Sequence, residues 1–223
     1  LPHPSNADLL YVGTVNGGVW RTHNAQAELP TWTALTDQQA SLSIGALVFD
    51  AADASGNTLL AGIGRFSSYG RAGGTRAGVL RSRDGGSSWS ALSSTLAGKN
   101  ISGITARGNV IVVAANTATS NACADYGLFR STDGGASFTK LGLPEGLPSG
   151  AVTSLVNHPS APQILFAHLD SANVCGGSAQ LNGLYRSSDE GASWTRVSNT
   201  EMNTLFAGSS KLVRAQVAAG VRL

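Results

Sequence analysis

The stretch Ser131-Thr132-Asp133-Gly134-Gly135-Ala136-Ser137-Phe138 decides the fold, because close copies of it stand at Ser82 to Trp89 and at Ser187 to Trp194. The copies share Ser-x-Asp-x-Gly-x-Ser-aromatic, and glycine, two apolar residues and arginine precede each one: Gly78-Val79-Leu80-Arg81, Gly127-Leu128-Phe129-Arg130, Gly183-Leu184-Tyr185-Arg186. Such a run reads as a strand, a tight turn and a returning strand. Asp and Ser side chains accept hydrogen bonds from turn amides, glycine supplies the positive φ that hairpin loops demand, and the closing aromatic anchors the return strand in the core. Ser82, Asp84, Gly86 and Trp89, Ser131, Asp133, Gly135 and Phe138, and Ser187, Asp189, Gly191 and Trp194 are therefore read as structural.

The three aspartates recur at intervals of 49 and 56 residues, about the length of one propeller blade. An eroded fourth copy lies upstream: Gly18-Val19-Trp20-Arg21-Thr22 repeats the lead-in, Asn24 takes the aspartate position, and Trp32-Thr33-Ala34-Leu35 repeats the return after an insertion. The octet resembles the Asp-box, or BNR repeat, found in sialidases, xyloglucanases, sortilin-type receptors and photosystem assembly factors. That resemblance implies a β-propeller with the box between the third and fourth strands of each blade. It does not select among enzymes, receptors and scaffolds.

The expected fold is all-β, a propeller of four-stranded blades with units at about 1–40, 41–98, 99–148 and 149–200 and the start of a further blade at 201–223. The first unit lacks its innermost strand, and Leu212 to Ala218 reads as a lone first strand. Two closures fit that count. Either the C-terminal strand completes the first unit and closes a ring of four, or the chain is part of a larger propeller, as the resemblance to rings of six to ten blades implies.

With 223 residues and 42% hydrophobic content the chain can bury a sizeable core, and 28 glycines with only 13% charged residues suit short strands and tight turns. A net charge of +2 without a basic stripe argues against nucleic acid as partner. No apolar run approaches the ~20 residues that a bilayer-crossing helix needs, so no membrane insertion is expected.

Candidate chemistry is sparse. His3-Pro4-Ser5 and His158-Pro159-Ser160 occupy matching positions and read as one repeated turn, while His23 and His168 have no partner at ligand spacing, so neither a metal nor another cofactor is expected. Arg21, Arg81, Arg130 and Arg186 recur once per unit and read as guanidiniums that satisfy carbonyls or aspartates at the hairpin. Xyloglucanases are similar in carrying Thr-Asp-x-Gly-Gly as a catalytic segment; here Thr14-Val15-Asn16-Gly17-Gly18 has Val15 in place of the acid. Asp50, Asp53, Asp125, Glu145 and Asp170 show no recognisable pairing of the kind glycoside hydrolysis needs. Asn100-Ile101-Ser102 is a formal glycosylation sequon that enters an innermost strand.

These readings point to a non-enzymatic propeller scaffold, secreted or on the cell surface of a bacterium, that binds a protein or glycan through its loops. The alternative is a fragment of a sialidase- or xyloglucanase-like hydrolase with catalytic residues partly outside this chain. The candidate contact loop holds Arg65, Phe66, Tyr69, Arg71 and Arg76, residue types that dominate interface hot spots. Cys123 and Cys175 fall in equivalent loops of successive units and are expected to form a disulfide, which implies an oxidising compartment.

Overall fold

A computed structural model of the protein describes residues 1–67, 72–118, 123–170 and 178–208. Antiparallel sheets succeed one another along the chain, each a meander in sequence order. The first holds β1 (Leu10–Thr14), β2 (Gly18–Thr22) and β3 (Thr33–Ala34). The second holds β4 (Ile44–Phe49), β5 (Leu59–Ile63), β6 (Val79–Ser82) and β7 (Ser90–Ala91). The third holds β8 (Lys99–Arg107), β9 (Val110–Ala118), β10 (Gly127–Ser131) and β11 (Thr139–Lys140), and the fourth β12 (Ala151–His158), β13 (Ala161–Asp170), β14 (Gly183–Ser187) and β15 (Thr195–Arg196). These are the blades of a β-propeller, with each box in the turn between the third and fourth strands.

The first sheet has three strands, and the residues at Leu1 and Pro2 run antiparallel beside β1. Pro2 bridges Leu10, the Leu1 ammonium group donates to Tyr11 O at 2.8 Å, and the Tyr11 amide donates to Leu1 O at 3.0 Å. The turn that follows repeats in the fourth unit: Ser5 N donates to His3 Nδ1 at 3.3 Å, and Ser160 N to His158 Nδ1 at the same distance.

The outermost strands are two residues each, because the box takes up the residues before them. Short 3₁₀ helices at Ser94–Leu96 and Leu143–Glu145 carry the chain from the outer strand of one blade to the inner strand of the next. After β15 the equivalent place is taken by an α-helix, α1 (Thr200–Gly208). The segment read as a further first strand, Leu212 to Ala218, lies outside the described residues.

Packing is sequential. Among the described residues the buried apolar side chains form three clusters, one at each junction between consecutive blades. Tyr11, Val19, Ile44, Leu59 and Ile63 join the first to the second; Leu60, Val79, Ile101, Ile104 and Val113 join the second to the third; Val112, Leu128, Val152, Leu155 and Leu169 join the third to the fourth. Alternation along each middle strand explains the arrangement, since its two faces serve two neighbouring blades: Leu60 faces forward while Leu59 and Ala61 face back.

Candidate functional site

The box is a closed set of hydrogen bonds. In the second blade the Ser82 hydroxyl donates to Asp84 Oδ1 (2.8 Å) and accepts from the Gly86 amide (2.8 Å), while Asp84 accepts from the Ser88 amide (2.8 Å) and hydroxyl (2.6 Å). Ser131, Asp133, Gly135 and Ser137, and Ser187, Asp189, Gly191 and Ser193, reproduce the same bonds. The indoles of Trp89 and Trp194 donate to the carbonyls of Gly86 and Gly191. The bonds from Ser88 and Ser82 hold the Asp84 carboxyl down at about 2, and those from Ser137 and Ser131 take Asp133 well below the usual carboxylate range. At Asp189 partial burial pulls upward, but Ser193 and Ser187 still hold it at about 2. In the eroded box Thr22 donates to Asn24 at 2.8 Å, and Thr31, after the insertion, replaces the second serine. Its aromatic, Trp32, stays 40% exposed where Trp194 is 4% exposed.

The recurring arginines do satisfy carbonyls, but on the next blade. Arg21 Nη1 donates to Gly85 O (2.8 Å), Arg81 Nη1 to Gly134 O (2.7 Å) and Arg130 Nε to Glu190 O (3.0 Å). All three acceptors are the fourth residue of the following box and sit in the left-handed region, with φ of 67°, 71° and 57°. That conformation turns the carbonyl outward to the preceding blade.

Loops between second and third strands gather at one end of the propeller, where the inner strands begin. In the candidate contact loop, Arg65 Nε donates to Gly74 O (2.8 Å), Arg65 N to Asn100 Oδ1 (2.5 Å), and the Gly98 amide to Arg76 O (2.9 Å). The Phe66 ring lies over Gly45 and Gly64, where an added Cβ on either would collide with it. Arg65 and Phe66 thus brace the loop, Arg76 ties its far end to the strand that follows, and Tyr69 and Arg71 lie outside the described residues. A hollow of about 330 Å³ opens beside this loop, lined by Asn16, Gln39, Ser41, Ser43, Gly73 and Gly74. Ser43 Oγ accepts from the Gly74 amide at 3.0 Å, and the Asn16 amide nitrogen is oriented to donate to Ala72 O and Ser43 Oγ at 3.2 and 3.1 Å. Nothing in the sequence marked these small polar residues, because the first and second blades contribute them separately.

Toward the third blade, Asn100 is buried and donates to Asn116 Oδ1 at 3.2 Å, which commits the sequon residue to the interior. Lys99 pairs with Asp125 at 2.5 Å and stands 5.2 Å from the Phe129 ring centroid, anchoring the loop that carries Cys123. Cys175 lies outside the described residues. His168 is buried beside Thr153, Oγ1 to Nδ1 at 2.8 Å, and burial lowers its pKa below the ordinary imidazole value. Val15 is 42% exposed in the turn where Thr14 Oγ1 accepts from the Gly17 amide. Among the described residues no group of three histidines, cysteines or carboxylates is placed to hold a metal ion, and no helix is long and apolar enough to cross a membrane.

Repeated boxes, radial sheets and arginine links between blades define the class as an Asp-box β-propeller. The chain belongs to the sortilin family: the profile described as Sortilin-Vps10, "Sortilin, neurotensin receptor 3", matches residues 77–220. No curated protein matches it in sequence. In fold it is similar to the GH74 xyloglucanase from Xanthomonas campestris (TM-score 0.61, 18% identity, 88% of this chain and 29% of that one). It is also similar to an ancestral GH74 enzyme (0.57, 17%, 88% and 23%) and to YCF48 from Cyanidioschyzon merolae (0.51, 14%, 90% and 56%). The chain spans less than a third of the length of the two GH74 structures.

Proposed function

We propose that the chain is a non-enzymatic propeller scaffold that binds a protein or glycan at its loop end, outside the cell or on its surface. The observation that carries this reading is how its charged repeat residues are used. The box aspartates place both carboxylate oxygens in turn bonds, and Arg21, Arg81 and Arg130 join blade to blade. What is offered at the loop end is a braced rim and a hollow of hydroxyls, amides and glycine backbone, groups suited to hydrogen-bonding sugar hydroxyls or an extended peptide. The test is a glycan array and a peptide array probed with the wild-type chain and with Phe66→Ala, Tyr69→Ala and Ser41→Trp, the last filling the hollow. Specific binders lost in these variants support the reading. Binding that none of the three alters refutes this placement.

A second reading, part of a glycoside hydrolase, is favoured by the fold likeness to the GH74 xyloglucanase and by the small share of it that the chain spans. It would place the catalytic carboxylates in blades beyond those described. Reducing-sugar release from xyloglucan by the complete gene product, and not by the 223-residue chain, distinguishes it from the scaffold.

A further inference from the structure

Gly73 and Gly74 wall the hollow beside the contact loop, and two side chains meet on Gly74. A Cβ built on it would lie 2.6 Å from Ser41 Oγ, and its carbonyl accepts from Arg65 Nε at 2.8 Å. A Cβ on Gly73 would collide with Ser43 Oγ and lie 2.9 Å from Arg65 Cγ. The two glycines therefore let the arginine stem lie along the wall, and they set a guanidinium at the edge of a cluster of hydroxyls.

The bonding groups at this wall are unevenly used. Lys99 pairs with Asp125 at 2.5 Å and Arg107 with Glu190. Among the described residues Arg65 bonds only through Nε and its backbone amide, which leaves both Nη groups of the fork to a ligand. Asp37, in the segment that leads to the hollow, is exposed and makes no ion pair with Arg65. Ser41 Oγ accepts from the Ser43 amide at 3.4 Å and keeps its proton to give, and the Gln39 carboxamide makes no bond among the described residues. The Gly74 backbone, in contrast, is fully used, its amide by Ser43 and its carbonyl by Arg65, so an extended peptide finds no backbone pair there to add to. No aromatic ring lines the hollow, because Phe66 is turned onto Gly45 and Gly64, so a neutral sugar has no ring face to lie on.

We infer that this hollow takes a hexuronate unit of an acidic glycan, with the carboxylate on the Arg65 fork and the ring hydroxyls on Ser41 and Gln39. A planar carboxylate accepts two parallel bonds from a guanidinium, and a sugar that carries it on the ring brings hydroxyls with it in the same rigid unit. Ser41 and Arg65 both touch Gly74, so one ring spans the two. A hollow of about 330 Å³ stands at the small end of ligand pockets, which suits one or two rings and not a folded partner. The inference rests on the reading of the loop end as a binding surface and narrows it from protein or glycan to an acidic glycan.

The test is titration calorimetry of the 223-residue chain with galacturonic and glucuronic acid trimers and with their carboxyl-reduced, neutral counterparts. Wild type is compared with Arg65→Gln, Ser41→Trp and Arg83→Gln, the last removing the same charge from an exposed position in the box of the second blade. Thermal midpoints establish that each variant folds. Wild type is expected to bind a uronate trimer about ten- to a hundredfold more tightly than its neutral counterpart, the range that a charge-assisted bond gives. Arg65→Gln is expected to bind the acidic trimer as weakly as the neutral one, Arg83→Gln to behave as wild type, and Ser41→Trp to bind neither. Comparing the two trimers within each variant cancels any shift of the loop itself, which would weaken both alike. Equal binding of acidic and neutral trimers by wild type overturns the inference, as does a preference that survives in Arg65→Gln or one that Arg83→Gln also removes. Failure of wild type to bind either uronate overturns it as well. The broader loop-end reading is judged separately, by whether the arrays yield any binder that Ser41→Trp abolishes.

Discussion

Gly134 and Gly135 are adjacent in the third box, both left-handed at φ 71° and 89°, but they differ in what surrounds them. A Cβ on Gly134 would meet nothing closer than Asn109 Oδ1 at 3.5 Å. On Gly135 it would lie 2.8 and 3.2 Å from the Leu92 δ-methyls of the preceding blade and 3.3 Å from Ile111 Cδ1. Gly134→Ala therefore carries only the left-handed backbone cost, about 1–2 kcal/mol. Gly135→Ala carries that cost and an overpacking term of about 1–3 kcal/mol, held toward its low end because the Leu92 methyls can swing. At about 2–4 °C per kcal/mol for a domain of this size, the expected falls in melting temperature are about 2–8 °C for Gly134→Ala and about 5–15 °C for Gly135→Ala. Thermal unfolding followed by circular dichroism reads both. Gly135→Ala no worse than Gly134→Ala would refute the claim that the box glycine is a contact between blades as well as a turn residue. Glu190, at φ 57° in the position of Gly134, already shows that this first site admits a side chain.

Arg81→Ala should destabilise by about 1.5–3 kcal/mol through loss of a charge-assisted bond to Gly134 O, with Arg81→Lys recovering part of it, both read by urea unfolding. The box carboxylates Asp84 and Asp189, held at about 2, bind protons less readily folded than unfolded, so their contribution is complete above about pH 4 and disappears as pH falls toward 2. Stability measured across that window should fall steeply in the wild type and less in Asp84→Asn; parallel curves would count against it. His168, depressed by burial, acts in a higher window: its contribution is full above the ordinary value of 6.5 and declines below it, and a flat profile between pH 7 and 5 would contradict this. A non-reduced digest is expected to join the peptides of Cys123 and Cys175; freely alkylated thiols in protein handled without reductant would remove both the bridge and the main argument for an extracellular location.

The boxes were legible because their chemistry is local. Ser131, Asp133, Gly135 and Ser137 find one another within seven residues, and the same bonds return wherever the octet returns. The histidine turns at His3 and His158 were legible for the same reason. What was hidden depends on distant partners. That Arg81 serves a blade should follow from its recurrence, but its acceptor is 53 residues away, so the sequence suggested the hairpin beside it instead. Trp32 looked like a core anchor by analogy with Trp194, yet an aromatic is buried only if a preceding blade covers it. The hollow at Asn16, Ser41 and Ser43 has no motif, because serines and glycines become a surface only when two blades meet.

The arginine link has an evolutionary corollary. The second and third units each carry a donor on the third strand and an acceptor in their own box, so a duplicate of either would arrive with both halves of the joint. Blade number can then drift by unequal recombination while the junction chemistry stays constant. Selection is left to act on the loops between second and third strands, which the joint does not constrain.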